Sequence, residues 1–196
     1  MRRLVLLALL PLPAAADPCA DRLAGLLGAD MTADGPYVAM NTTEMMGQRM
    51  VYRQSQISDL HYMVETLEPV PRPAMVHQDG TAWQSDDAGG WTVAWEAPAE
   101  DLLAQMAALR TSLASGVLTA ECGTEDRDGT AFELVSGTVG PTDVFGEELA
   151  VSYLVDPATG RPVRITQDYV SSGMEVSTLY EIEFADDLEL PTPSAD

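Results

Sequence analysis

Apolar and polar residues alternate with a period of two along much of this chain. The alternation is most regular over 174–184, where one face carries Met174, Val176, Thr178, Tyr180, Ile182 and Phe184. A period of two with one apolar face predicts an antiparallel sheet that is covered on one side only. Similar patterns predict strands over 37–43, 48–57, 60–67, 75–78, 81–84, 117–124, 131–138, 149–156 and 161–169. A turn over 86–90 leads into a tryptophan-bearing segment, 91–95.

Two segments have helical spacing instead. The first, 19–28, places Cys19 on the same face as three leucines and ends at Gly28. The second begins at Pro98 and ends at Gly116, and its apolar face consists of Leu102, Met106, Leu109 and Leu113. A one-sided sheet and an amphipathic helix must bury their apolar faces against each other. We therefore expect an α+β fold that is mostly antiparallel β.

The first sixteen residues have the form of a secretory signal peptide. Arg2 and Arg3 precede a short apolar run, and Ala14 and Ala16 occupy positions −3 and −1 of a cleavage site after Ala16. The run is shorter than the roughly 18–20 residues that cross a bilayer, so we expect no permanent anchor. Cleavage leaves a single domain over 17–190, and we expect the proline-containing tail 191–196 to be disordered.

The charge composition limits the possible partners. The chain has 10 basic residues, all of them Arg, against 31 acidic residues. Without Arg2 and Arg3, the mature chain keeps eight against 31, a formal net charge of −23. Such a charge repels nucleic acid and anionic membrane surfaces.

The absence of Lys and the single Asn indicate a GC-rich bacterial genome, so we expect export to the periplasm.

The two cysteines, Cys19 and Cys122, predict one disulfide, because an even count in an exported protein is typical of structural pairing. A redox or metal-binding pair is the alternative. It lacks a C-x-x-C spacing and basic neighbours.

Signatures of catalysis are scarce. The sequence contains no G-x-S-x-G, no H-E-x-x-H and no phosphate-binding glycine loop. The only histidines are His61 and His77, and paired carboxylates such as Glu147-Glu148 fall in turns. We expect no catalytic residues, no cofactor and no metal site.

The methionines Met40, Met45, Met46 and Met50 leave three interpretations open, which are a Cu(I) site, a pliable cavity lining and core filling.

The order of elements resembles that of the periplasmic lipoprotein-carrier (LolA-like) superfamily. The resemblance is carried by the hairpin over 153–165, by the glycine and tryptophan stretch over 80–95, and by the polar loop 168–173 before the last long strand. It implies a curved, half-open, barrel-like sheet, with the N-terminal helix and the central amphipathic helix on its concave face. It also implies an apolar cavity between sheet and helix that suits acyl chains.

Two functions follow as expectations. The first is a non-enzymatic periplasmic binding or carrier protein that holds a lipid or an acylated partner in that cavity. We expect its apolar wall to be formed by Met50, Tyr52, Trp91, Val93, Trp95, Leu102, Met106, Leu109 and Leu113. The second is a protein-interaction or envelope-structural module, which has a self-filled core and binds through its acidic face or an exposed strand edge.

Overall fold

Eleven antiparallel strands form one open sheet in the computed structural model, which describes residues 17–86, 89–142 and 145–193. The signal peptide, the middle of the 86–90 turn and the end of the C-terminal tail lie outside these residues, and their assignments stay predictions. The strands are β1 (Tyr37–Met45), β2 (Gln48–Ser58), β3 (His61–Glu68), β4 (Met75–Gln78), β5 (Thr81–Ser85), β6 (Trp91–Glu96), β7 (Val117–Arg127), β8 (Thr130–Val139), β9 (Leu149–Val155), β10 (Pro162–Ser171) and β11 (Met174–Phe184).

The sheet consists of two meanders that meet in its middle. Strands β1 to β6 run outward in sequence order on one side, and β11 to β7 run outward on the other. The two meanders join where β1 pairs with β11, with Tyr37 opposite Phe184 and Met45 opposite Val176. This pair brings together a segment near the beginning of the described residues and one near their end.

Short two-residue turns fix the register of four hairpins. Met46-Gly47, Asp79-Gly80, Asp128-Gly129 and Ser172-Gly173 all have positive φ at both positions. Such turns match the right-handed twist of the strands that they connect, and glycine takes the second position without steric cost.

Two α-helices lie on one face of the sheet, here called the concave face. Helix α1 (Pro18–Gly28) begins at Asp17, whose carboxylate accepts a hydrogen bond from the Cys19 N–H at 2.9 Å. Its Leu23 and Leu27 are buried in the main core, together with residues of β1 and β8 to β11. A Cβ on Gly137 would stand 2.7 Å from Leu23 Cδ2, so this glycine permits the close approach of α1.

Helix α2 (Ala99–Ser115) is held more loosely, since none of its side chains is buried. It lies alongside α1, where a Cβ on Gly28 would meet Ala114 Cβ at 3.4 Å. Its Leu113 packs against the main core, whereas Leu103 is 43% exposed.

The disulfide between Cys19 and Cys122 is present and joins α1 to β7. The antiparallel sheet with two helices on its concave face confirms the fold class expected from the sequence. The strands match their predicted ranges closely, with two exceptions. Strands β7 and β8 form a longer hairpin than expected, and β10 runs to Ser171, so that most of the expected polar loop 168–173 is strand paired with β11. A 3-10 turn over Met31–Asp34, between α1 and β1, was not predicted.

Candidate ligand cavity

A cavity of about 260 Å³ lies on the concave face, below the end of α1 and the 3-10 turn. Its floor comes from the five central strands β2, β1, β11, β10 and β9, whose inward-facing residues alternate with outward-facing ones. The cavity is therefore enclosed by the two segments that the sheet brings together and by the chain that connects α1 to β1.

One side of the cavity is apolar. Leu26, Leu27 and Met31 cover it from above, and Ala39, Ile165 and Ile182 contribute to the floor. Ala39 opposes Ile182 across the β1–β11 pair, so these two residues lie side by side on the same face. This half of the cavity can accept a hydrocarbon group without leaving a polar atom unpaired.

The other side carries amides and phenols. Tyr37 donates a hydrogen bond to Gln56 Oε1 at 2.8 Å, and Gln54 Nε2 donates to the same oxygen at 2.6 Å. Asn41 Nδ2 in turn donates to Gln54 Oε1 at 3.3 Å. These four residues form a continuous hydrogen-bonded row, here called the amide row, along β1 and β2.

The amide row ends in an unmatched acceptor. Asn41 is 8% exposed, and its Oδ1 has no hydrogen-bond partner among the described residues. Ala39, Gln54 and Tyr180, which surround Asn41 on β1, β2 and β11, all line the cavity. A buried acceptor without a donor is costly. Asn41 itself does not line the cavity, whereas Gln54, Gln56 and Tyr37 of the row do.

Three tyrosines bring their hydroxyl groups to the same region. Tyr180 donates a hydrogen bond to Gln167 Oε1 at 3.4 Å, and Tyr153 also lines the cavity. Burial raises the pKa of Tyr37 to about 12 and also raises the pKa values of Tyr153 and Tyr180, because a phenolate would lose its hydration. These groups remain neutral hydrogen-bonding phenols at physiological pH.

A charged bridge borders the cavity on the α2 side. Arg110 of α2 donates two hydrogen bonds to Asp59, at 2.8 and 2.5 Å, and approaches Asp30 at 3.5 Å. Asp59 lies in the β2–β3 turn and Asp30 precedes the 3-10 turn. The hydrogen bonds to Asp59 are the main reason that the pKa of Arg110 is raised. This Asp30–Arg110–Asp59 bridge connects three segments that are far apart in sequence.

Three of the expected wall residues meet in a second, smaller space. Trp95, Leu102 and Met106 border a cavity of about 40 Å³ between α2 and strands β3 to β6. His77 lies in the same wall, stacked on Tyr62 at 4.2 Å between ring centroids, and burial lowers its pKa. Asp59 lines both this small cavity and the larger one, so the two spaces are neighbours.

The other expected wall residues lie elsewhere. A β-bulge shifts the register of β6 against β5, so that Trp95 lies opposite Ala82 but Val93 lies opposite Trp83. Trp95 therefore lies on one face of the sheet, and Trp91 and Val93 lie on the other. Met50 and Tyr52 point to the concave face, where the Tyr52 hydroxyl donates to Met50 Sδ at 3.0 Å, but neither lines the larger cavity. Leu109 is half-buried and borders neither cavity, while Leu113 belongs to the edge of the core.

The amide row was not among the residues expected from the sequence. Its signal was available, because Gln54 and Gln56 share the parity of Tyr52 on β2 and therefore face inward with it. Polar residues at inward positions of a strand point to a cavity or a buried network rather than to a plain core.

The methionines of β1 and β2 do not converge. Met50 pairs with Thr43, three residues along β1 from Met40, so Met40 and Met50 face opposite sides of the sheet. Met46 lies in the β1–β2 turn and is 75% exposed. Within 17–86, 89–142 and 145–193, no group of three or more His, Cys, Asp or Glu residues could hold a metal ion.

The opposite face of the sheet, here called the outer face, carries a broad acidic groove. It has a volume of about 910 Å³ at the end of the sheet where the β1–β2 and β10–β11 turns lie, and its carboxylates are Glu44, Glu148, Asp168 and Glu175.

Among the described residues, no helix is long and apolar enough to cross a membrane.

No family model matches this chain, and no curated protein matches it either. Solved structures similar to it include a LolA superfamily protein from Nitrosomonas europaea, with 11% identity and a TM-score of 0.35 over 88% of this chain and 92% of that chain. An outer membrane lipoprotein-sorting protein domain from Vibrio parahaemolyticus has 11% identity and a TM-score of 0.34, over 87% of this chain and 95% of that chain.

The chain is also similar to a chain in the complex structure of Pseudomonas aeruginosa MucA/MucB. The identity is 15% and the TM-score 0.45, over 85% of this chain and only 57% of that chain. At identities of 15% or less and TM-scores below 0.5, none of these similarities indicates what this chain binds.

Proposed function

We propose that this protein is a non-enzymatic, exported binding or carrier protein that holds a lipid or an acylated partner on its concave face. The observation that carries the proposal is the 260 Å³ cavity, with its apolar side formed by Leu26, Leu27 and Ile165. Ligand pockets have volumes of roughly 300–1,000 Å³, so the cavity is slightly smaller than that range. An acyl chain is the ligand that best matches a narrow cavity with one hydrocarbon-lined side.

Longer acyl chains would need more room, and the neighbouring space provides it. Asp59 lines both cavities, and Arg110 holds Asp59 from α2. In this proposal, a long chain passes the Asp30–Arg110–Asp59 bridge and reaches Trp95, Leu102 and Met106 under α2. Because α2 has no buried side chain, its displacement costs less than that of α1.

The test is binding of a neutral fluorescent acyl probe to the mature protein and to a variant with a filled cavity. Ala39→Leu adds a branched side chain at a cavity-lining position that is 2% exposed. We expect the probe to bind the wild type in a saturable way and to bind this variant at least about tenfold more weakly.

Ala150→Leu is the matched control, because Ala150 is exposed on the outer face. It should bind the probe like the wild type, and thermal unfolding of both variants checks that they fold. Equal probe affinity in the wild type and a folded Ala39→Leu protein would exclude this cavity as the binding site.

A protein-interaction module is the second candidate function, and the acidic groove on the outer face favours it. The groove has four carboxylates and no basic residue among its lining side chains, so a basic partner would complement it. Native mass spectrometry of protein purified from cells separates the candidates. Co-purified acyl species support the carrier, whereas a bare disulfide-bonded chain that binds a basic protein partner supports the module.

A further inference from the structure

The cavity contains more polar groups than a hydrocarbon chain requires. We propose that the cavity selects acyl ligands with a neutral, hydrogen-bonding head, such as an amide or a hydroxyl, over acyl chains that end in a free carboxylate. This inference rests on the proposed function and names the ligand class of the same site. It comes from two independent features of the cavity, the amide row and the distribution of charge.

The amide row has hydrogen-bonding capacity that the protein does not use. A glutamine side chain offers two donor hydrogens and two acceptor lone pairs. Gln54 uses one of each within the row, since it donates to Gln56 and accepts from Asn41. The Asn41 oxygen at the far end of the row also accepts no hydrogen bond among the described residues, but Asn41 does not line the cavity, so the capacity that faces a ligand is that of Gln54 and Gln56. An amide head matches this arrangement because it both donates and accepts, and a hydroxyl head does the same.

The charges around the cavity disfavour an anionic head. Among the described residues that line the cavity, Arg110 is the only basic one, and it is paired with Asp59 and Asp30, which also line the cavity. Two carboxylates against one guanidinium leave this border with an excess of negative charge. The whole chain adds to the effect with a formal net charge of −21. A fatty-acid carboxylate would lose hydration in the cavity and find no free cation to replace it.

The test compares two ligands that share a medium-length chain and differ only in the head group, decanamide and decanoate. Their affinities for the mature protein are measured at neutral pH by displacement of the neutral acyl probe. We expect decanamide to bind at least about tenfold more tightly than decanoate, because only the amide uses the free capacity of the row.

Gln54→Leu keeps the size of the side chain and removes its hydrogen-bonding groups. In this variant we expect the preference for decanamide to fall to about threefold or less. Gln48→Leu is the matched control, since Gln48 is an exposed residue of the same strand outside the cavity, and it should keep the full preference. If Gln54→Leu does not fold, Gln56→Leu tests the same point, because Gln56 is the next member of the amide row and also lines the cavity.

The outcomes separate this inference from the proposed function. Equal affinities, or tighter binding of decanoate, would overturn the selectivity and leave an acyl-binding protein. A preference that survives unchanged in folded Gln54→Leu, or in its substitute Gln56→Leu, would also overturn it. Failure of the folded wild type to bind either ligand or the probe would overturn both the selectivity and the carrier function.

Discussion

Arg110 is the residue that ties α2 to the rest of the molecule. Its guanidinium pairs with Asp59, which is 12% exposed, while the side chain of Arg110 itself is 27% exposed. We predict that Arg110→Gln lowers the free energy of unfolding by about 1–3 kcal/mol, because Asp59 would keep its charge and lose its partner. Urea unfolding followed by circular dichroism measures this difference.

Arg53→Gln is the control for that prediction. Arg53 pairs with Glu65 on the outer face at 2.5 Å, but Arg53 is 47% exposed and its partner 25% exposed. Loss of such an exposed pair should cost only about 0–1 kcal/mol. If both variants lower the free energy of unfolding by the same amount, the Asp30–Arg110–Asp59 bridge stabilises the protein no more than an exposed ion pair does.

The buried tyrosines predict a specific loss of stability at high pH. Burial raises the pKa of Tyr37 to about 12, compared with about 10 in an unfolded chain. The pKa values of Tyr62, Tyr153 and Tyr180 are raised for the same reason. A raised pKa means that the stabilising contribution is complete below pH 10 and is lost as the pH rises through the folded pKa.

We therefore expect the free energy of unfolding to fall as the pH rises from about 10 to about 12. Absorbance near the tyrosinate band follows the ionisation, and urea midpoints follow the stability. Tyr37→Phe should make the free energy of unfolding fall less steeply with pH in this range, because it removes one of the ionisations that are linked to unfolding. A slope that is the same in wild type and variant would show that Tyr37 is not protected by burial.

At the scale of the elements, the disulfide determines how firmly α1 covers the cavity. Cys19 and Cys122 join the first turn of α1 to β7 over a separation of 103 residues. We predict that the double change of Cys19 and Cys122 to Ala lowers the free energy of unfolding by about 2–5 kcal/mol, since the unfolded chain regains its freedom. The measurement is urea unfolding of the variant beside oxidised and reduced wild type.

The reduced wild type is the internal control for the disulfide prediction. It should unfold at nearly the same urea concentration as the double variant, because both lack the same constraint. A double variant as stable as the oxidised protein would mean that Leu23 and Leu27 alone hold α1 in place.

Strand and helix positions were predictable because they depend on local pattern. The alternation in β11 identified its buried face, with Val176, Thr178 and Ile182 inside. The gaps between predicted strands at 44–47 and 79–80 contain the turns Met46-Gly47 and Asp79-Gly80, whose residues have positive φ. The sequence therefore contained enough information for the order of elements and for the antiparallel sheet.

The residues that line the cavity were harder to predict from the sequence, because they depend on which elements cover which part of the sheet. The tryptophans of β6 share a parity in the sequence, but the β-bulge sends Trp91 and Trp95 to opposite faces. The larger cavity is covered by the end of α1 and the 3-10 turn, and α2 contributes Arg110 rather than its leucines. Neither the bulge nor this placement follows from the periodicity of one segment.

At the scale of the whole molecule, the cavity lies where the two meanders join. The β1–β11 pair connects residues that are far apart in sequence, and both of its strands contribute to the cavity floor. The floor is complete only when the last strand has paired with the first. Ligand binding should therefore depend on the global fold and stabilise the whole molecule, rather than one helix.

The net charge of the whole molecule leads to a prediction about salt. With 31 acidic and 10 basic residues, the folded chain concentrates negative charge, and four carboxylates share the groove on the outer face. Salt screens this repulsion, so the thermal unfolding midpoint should rise as NaCl increases from about 0.02 M to about 0.5 M. The double change Glu44→Gln and Glu175→Gln should raise the midpoint at low salt and make its salt dependence smaller, because two of the mutually repelling charges are gone. A midpoint that falls with added salt would mean that the attraction within pairs such as Arg110–Asp59 outweighs the repulsion among the unpaired carboxylates.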